Sequence, residues 1–156
     1  MGTRTGDLDP GILIHLLREH GYTAAALETL VDHESGLLGI SGLDSDLRTL
    51  NAAATTNPAA RLAIDIFRHS LGKTIASMVH VLGGADMIVF TGGIGEHDAA
   101  LRAAIGQSLS WMGVAIDPAR NDSNAGQINT ASSISVRVLA SQEDMEIARH
   151  SAALMV

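Results

Sequence analysis

MIVFTGGIGE, at residues 87–96, is the stretch that decides the fold of this chain. Four continuous apolar residues followed by a glycine-rich turn are typical of a strand buried on both faces, as in a parallel sheet. Beyond the turn, apolar residues recur at helical spacing from about residue 98 to residue 112. The order strand, turn and helix predicts an α/β layered fold.

The segments around this stretch fit the same fold class. Ile134, Val136 and Val138 alternate with polar residues and predict a second strand. A helix starting at Asn57-Pro58 is expected to be a central packing helix, whereas residues 36–42 are so rich in glycine that they predict an ordered loop. Three further helices are predicted over residues 10–20, 23–31 and 142–154.

The composition is that of a globular protein without disulfide bonds. Hydrophobic residues make up 46% of the 156 residues, and the lack of cysteine excludes disulfides and thiolate metal sites. The net charge of −7 argues against a broad nucleic-acid surface, because such surfaces depend on clustered Lys and Arg. No apolar run reaches the ~18 residues that a membrane span needs, and no signal peptide is visible. We therefore expect a soluble, cytoplasmic protein that binds neither nucleic acid nor a membrane.

The glycine-rich turn at residues 91–96 is the strongest candidate for a binding site. Ligands in open α/β sheets bind at the carboxyl ends of strands, and glycines let the backbone approach a ligand closely. The helix after the turn would offer free N–H groups and a partial positive charge to an anion. The alternative is a tight turn whose glycines serve packing only. The spacing matches neither a P-loop nor a dinucleotide fingerprint.

Three other segments carry charged residues that have two interpretations each. Arg4 could clamp a carboxylate or phosphate, or it could brace the turn beside it by pairing with Asp7 or Asp9. Residues 44–48 could contact a ligand, or form a helix cap and a surface ion pair. Glu143 could associate with a metal ion, or complement a helix dipole. The seven histidines show no metal-ligand spacing with one another.

Taken together and in this order, these segments resemble those of the acetate and propionate kinase family, within the superfamily of sugar kinases, Hsp70 ATPase domains and actin. The resemblance runs through essentially the whole chain. It implies an α/β fold that is the C-terminal part of a ribonuclease H-like (actin-like ATPase) domain, with a sheet incomplete at its N-terminal strands. The similar segments are Met1–Pro10, Ser35–Gly42, Asp44–Arg48, Phe90–His97 and Ser141–Ala148.

The resemblance also implies a reaction, in which ATP and acetate or another short carboxylate give ADP and an acyl phosphate with Mg²⁺. Arg4 would stabilise the transferring phosphoryl group, and Glu143 would associate with magnesium. His97 and Gln142 both stand where the family has Asn, which changes the hydrogen-bonding groups near the nucleotide. The implied adenine-nucleotide contacts are Asp46, Leu47, Arg48, Gly93, Ile94, Gly95, Glu96 and His97.

The same resemblance predicts that residues 1–156 are a partial C-terminal nucleotide-binding and dimerisation domain whose N-terminal domain is absent. Met1 would then be an internal methionine of the family. The chain would form a homodimer and would turn over only with the missing half supplied. Two alternatives stay open: a non-catalytic module that binds adenine nucleotide or dimerises, and a folding remnant with an open sheet edge.

Overall fold

A computed structural model describes residues 1–131 and 133–154 of the chain. They form two compact units, Met1–Ser70 and Leu71–Val156, and the boundary between the units falls inside a long helix. No helix in the described part of the chain is long and apolar enough to cross a membrane.

The first unit is built from helices, and three of them begin where the sequence predicts, near residues 10, 23 and 57. Asp9 caps the first helix by accepting a hydrogen bond from the Gly11 amide at 2.7 Å, and Thr23 caps the second through the Ala26 amide at 3.1 Å. The helices are α1 (Pro10–Glu19), α2 (Ala24–His33), α3 (Gly36–Ser41), α4 (Leu47–Ala53) and α5 (Pro58–Leu82), of which α5 runs on into the second unit.

The glycine-rich segment that was expected to be a loop is the helix α3, so that prediction is wrong. The first amides of α3 are satisfied from another part of the chain: Leu37 N donates to the Met1 carbonyl at 3.1 Å, and Leu38 N to the Gly2 carbonyl at 3.0 Å. Leu37 is also buried. These hydrogen bonds and this burial outweigh the low helix propensity of glycine.

The core of the first unit gathers side chains from α3, α4 and the first part of α5. Farther along α5, Leu71, Ile75 and Val79 are only half-buried. Met78, Val81 and Leu82 are exposed. The prediction of a central packing helix therefore holds only for the beginning of α5 and is wrong for its end. The buried members of the core are Leu37, Leu47, Leu50, Ala60, Ala63 and Ile64.

The second unit contains a two-stranded parallel sheet with helices after each strand. Met87 lies opposite Ser135 and Phe90 opposite Val138, which confirms the predicted α/β class and the parallel pairing. The glycine-rich turn after the first strand is itself a short helix. The elements are β1 (Met87–Phe90), α6 (Gly92–His97), α7 (Ala99–Ser108), a 3₁₀ turn (Ser110–Met112), α8 (Pro118–Asp122), β2 (Ser135–Val138) and α9 (Glu143–Ala153).

β1 is only partly covered, so the prediction of a strand buried on both faces is wrong. Met87 and Val89 point to the same face and are 47% and 44% exposed, whereas Phe90 is buried. The outer side of β2 hydrogen-bonds with residues 126–128. Within residues 1–131 and 133–154, no strand pairs with the outer edge of β1. One edge and one face of this strand therefore remain open.

Candidate functional site

The carboxyl ends of β1 and β2 bring two of the predicted site segments together. Because the strands are parallel and in register, the chain leaves both at the same edge of the sheet, where Leu139 N donates to the Phe90 carbonyl at 3.0 Å. A cleft of about 460 Å³ opens there. Gly92 and Gly93 line it on the α6 side, and residues 141–145 line it on the α9 side.

Hydrogen bonds join the two sides of this cleft. The Glu96 side chain accepts a hydrogen bond from the Ser141 amide through Oε1 at 2.8 Å. The Ser141 hydroxyl in turn donates to Glu143 Oε1 at 3.2 Å. The predicted nucleotide segment and the predicted metal-associated carboxylate are therefore connected through one serine.

The glycines of α6 do not all serve the same purpose. A Cβ on Gly95 would lie 3.2 Å from the carbonyl carbon of Phe90, so Gly95 allows α6 to pack closely against the end of β1. A Cβ on Gly93 would meet nothing within 4 Å, although Gly93 lines the cleft. Close packing thus accounts for the lack of a side chain at Gly95, whereas the lack of one at Gly93 leaves the backbone accessible from the cleft.

The helix expected to offer free N–H groups to an anion has an acidic residue at its N-cap. That helix is α7, and the side chain of its N-cap residue Asp98 accepts a hydrogen bond from the Leu101 amide at 2.8 Å. A carboxylate at this position also complements the positive end of the helix dipole. The Leu101 amide is therefore not free, and the Asp98 carboxylate disfavours a bound anion at this end of α7.

Arg102 is fully buried in α7, and its sequence context alone does not single it out as a site residue. Its Nη1 donates to the carbonyls of Gly95 and Glu96 at 2.9 and 2.8 Å, which ties it directly to α6. Burial lowers the pKa of Arg102, and the charges of Asp98 and Asp122 act in the opposite direction. The available signal was an arginine between the apolar Leu101 and Ile105, but the sequence does not reveal its partners.

The remaining predicted residues lie in the first unit. Arg4 is exposed, and its Nε lies 3.9 Å from the Asp32 carboxylate, while Asp9 caps α1. Asp46 caps α4 through the Arg48 amide at 2.8 Å and holds the Arg48 guanidinium at 2.6 Å, which confirms the helix cap and the surface ion pair. Leu47 is buried in the core, so that only its backbone could contact a ligand.

The Asp44–Arg48 segment gives the first unit a pH dependence of definite sign. Hydrogen bonds, first of all from the Asp46 amide, lower the pKa of Asp44 below its ordinary 3.8, and the Arg48 side chain lowers that of Asp46. The folded chain then binds fewer protons than the unfolded chain, so these groups stabilise it fully above about pH 4 and less as the pH falls through the folded pKa values.

We expect wild-type protein to lose more stability than Asp46→Asn between about pH 6 and about pH 3. Asn is as good an N-cap as Asp but does not titrate, so the variant keeps the cap at both pH values. Denaturant unfolding at the two pH values measures the difference. An equal loss for the two proteins would contradict the assigned pKa shift.

Comparison with known proteins decides the family. A sequence model described as the Acetokinase family matches residues 1–149. The chain belongs to the acetokinase family. This family member is 48% identical over 153 residues to an acetate kinase of Thermosynechococcus vestitus and 44% identical over 151 residues to a propionate kinase of Citrobacter rodentium. Both alignments cover 96% of this chain, but only 37% and 38% of the relatives.

Solved structures of a propionate kinase and an acetate kinase also resemble this chain, in agreement with its place in the acetokinase family. The chain resembles a propionate kinase from Francisella tularensis with a TM-score of 0.89 at 37% identity, over 95% of this chain and 38% of that one. It resembles an acetate kinase of Porphyromonas gingivalis with a TM-score of 0.88 at 33% identity, over 100% of this chain and 40% of that one. The resemblance seen in the sequence motifs is thereby confirmed, and the chain spans about two fifths of the length of these relatives.

Proposed function

We propose that this chain supplies the nucleotide-binding part of a kinase that transfers a phosphoryl group from ATP to a short carboxylate, giving ADP and an acyl phosphate. One observation carries the proposal: the cleft at the carboxyl ends of β1 and β2 joins the segment that resembles the family's nucleotide turn with the segment that resembles its magnesium-associated glutamate. The names of the relatives, acetate kinase and propionate kinase, support acetate or propionate as the acceptor.

The cleft suits a nucleotide in size and in chemistry. Its volume of about 460 Å³ falls within the usual range of small-molecule sites. The open backbone at Gly93 lets a flat base or a ribose approach without meeting a side chain. The proposed contacts of ATP or ADP on this side are Gly93, Ile94, Gly95, Glu96 and His97.

Glu143 is the proposed protein ligand of Mg²⁺. Among the residues that the structure describes, no group of three His, Cys, Asp or Glu side chains could hold a metal ion. Mg²⁺ commonly takes only one or two carboxylates and completes its shell with phosphate oxygens and water, so a single exposed carboxylate beside the cleft fits it. When bound, the ion would neutralise phosphate charge. The Ser141 hydroxyl orients the Glu143 carboxylate beside the cleft.

The proposal also assigns roles to residues of the first unit and to the chain as a whole. Arg4 would stabilise the transferring phosphoryl group, and Asp46, Leu47 and Arg48 would contact adenine nucleotide. The chain would be the C-terminal part of a ribonuclease H-like domain that acts in a cytoplasmic homodimer. These roles are supported by the family to which the chain belongs.

A chimera tests the proposed activity. This chain would replace the segment of the Thermosynechococcus vestitus acetate kinase with which it aligns at 48% identity. The expected result is acyl phosphate formation from ATP and acetate or propionate, captured as the hydroxamate. The relative's remaining part alone is the control and should give none. A folded chimera that binds nucleotide without making acyl phosphate would instead support the non-catalytic module.

Substitution of Gly93 separates nucleotide binding from folding. Gly93→Ala should raise the thermal stability slightly, since alanine in a helix is favoured over glycine by about 1 kcal/mol and its methyl group meets no atom. The same methyl group projects beside the cleft, so the affinity for Mg-ADP should fall, and Gly93→Leu should weaken it further. Calorimetric titration and thermal unfolding of the same samples measure both effects. Unchanged affinity in the leucine variant would remove Gly93 from the site.

A further inference from the structure

Arg102 uses every N–H group of its guanidinium in hydrogen bonds to uncharged oxygen atoms. Nε donates to Asn121 Oδ1 at 2.8 Å. Nη2 donates to the Asn121 carbonyl at 2.8 Å and to Asn124 Oδ1 at 2.5 Å. With the two bonds from Nη1 to α6, all five donors of the side chain are occupied.

The partners of Arg102 come from two separate places in the second unit. One pair of oxygens belongs to Gly95 and Glu96 in α6, and the others belong to α8 and the turn after it. Asn121 also donates through Nδ2 to the Ala99 carbonyl at 2.8 Å, which ties α8 to the start of α7. A lysine, with three donors on one nitrogen, cannot span these positions, because only the planar fork of arginine presents five donors in fixed directions.

The α6 bonds connect Arg102 to the cleft through the chain of contacts described above. Arg102 fixes the backbone at Glu96, the Glu96 carboxylate holds the Ser141 amide, and the Ser141 hydroxyl holds Glu143. We propose that Arg102 is a positioning residue of the nucleotide cleft, which sets the geometry of α6 and, through Glu96 and Ser141, that of the Glu143 carboxylate. This inference rests on the proposed function, because it assigns Arg102 to the site that binds the nucleotide.

Arg102→Lys tests this role in the 156-residue chain. Titration with Mg-ADP should show about tenfold to hundredfold weaker binding, the loss typical of residues that orient a metal-binding carboxylate. Hydrogen exchange at the Ser141 amide should become faster, since its acceptor is no longer fixed. Ile105→Val is the matched control: Ile105 is buried in the same helix, and the variant should lose thermal stability without a change in Mg-ADP affinity.

Asn124→Gly is a milder variant that keeps Arg102 in place. It removes one acceptor of the guanidinium, and glycine adopts the positive φ of 50° at this position without strain. We expect the chain to fold and to bind Mg-ADP about fivefold more weakly, as for the loss of one hydrogen bond. This variant keeps the proposal testable if Arg102→Lys does not fold.

A double-mutant cycle separates positioning from general stabilisation. If Arg102 acts through Glu96, then Arg102→Lys and Glu96→Ala together should weaken Mg-ADP binding little more than the stronger single variant. Losses that multiply, or an Arg102→Lys variant that binds as tightly as the wild-type chain, would overturn the positioning role. Absence of Mg-ADP binding both by the folded wild-type chain and by the chimera would overturn the proposed function, and with it the role of Arg102.

Discussion

An Arg4→Ala variant of the chimeric kinase is expected to lose about 10³-fold or more in kcat, the usual contribution of an arginine that stabilises a transferring phosphoryl group. The Arg4 side chain contributes little to the stability of the fold. Arg4 and Asp32 are 71% and 44% exposed, and their closest charged atoms are 3.9 Å apart. An exposed pair of this kind contributes less than about 1 kcal/mol to stability. The variant should therefore fold normally while acyl phosphate formation falls.

Asp32→Asn is the matched control for Arg4→Ala. It weakens the same ion pair but leaves the Arg4 guanidinium in place, and the Thr3 hydroxyl still donates to the Asp32 backbone carbonyl. Its kcat should match that of the unsubstituted chimera. Arg4→Lys should recover only part of the activity, because an ammonium group cannot form the two parallel bonds of a guanidinium. Normal turnover in Arg4→Ala would refute the assigned role.

Gly36→Ala is expected to cost about 3 kcal/mol or more in the free energy of unfolding, and Gly42→Ala only about 1 kcal/mol. Both glycines have nearly the same left-handed φ, +62° and +61°, so the backbone strain of an added side chain is similar. Their surroundings differ. A Cβ on Gly36 would lie 2.5 Å from the Met1 carbonyl oxygen and 2.8 Å from that of Arg4, whereas a Cβ on Gly42 would meet nothing within 4 Å.

The difference between these two variants isolates the contact between α3 and the first residues of the chain. In Gly36→Ala the segment of residues 1–4 must move, and the bonds from Leu37 and Leu38 to it are lost or lengthened. Denaturant unfolding of the two variants and the wild type measures the difference. Equal losses would mean that strain alone determines the cost, and that the close approach of residues 1–4 to α3 does not matter for stability.

The helix starts were predictable because their signals are local. A capping side chain bonds to an amide only two or three residues away, as Asp9 does for α1 and Asp98 for α7, so the residue types alone mark the position. The α/β fold class also followed from the order of strands and helices along the chain. The cap and ion pair of Asp46 and Arg48 are equally local, since the two residues are two positions apart.

The features that the sequence did not predict depend on residues far apart in the chain. The helix α3 forms because carbonyls at residues 1 and 2 accept its first amides, 36 positions away in each case. The open face of β1 depends on which elements cover it, and a run of apolar residues does not contain that information. In the sequence, Arg102 looks like an ordinary polar residue of an amphipathic helix. Its role can be inferred only once its partners at residues 95, 96, 121 and 124 are known.

By itself, the sequence determined the fold class, the helix caps, the lack of disulfide chemistry and, through five segments in order, the acetokinase family. Those properties depend on residue types at short or fixed spacing. Only the tertiary structure decided that Gly93 opens onto a cleft while Gly95 packs, that Glu96 reaches across to Ser141, and that Arg102 holds the turn in place. The physical reason is that hydrogen bonds and close contacts depend on distance in space. The parallel pairing of β1 and β2 brings Glu96 and Ser141 together although they are 45 positions apart in the chain.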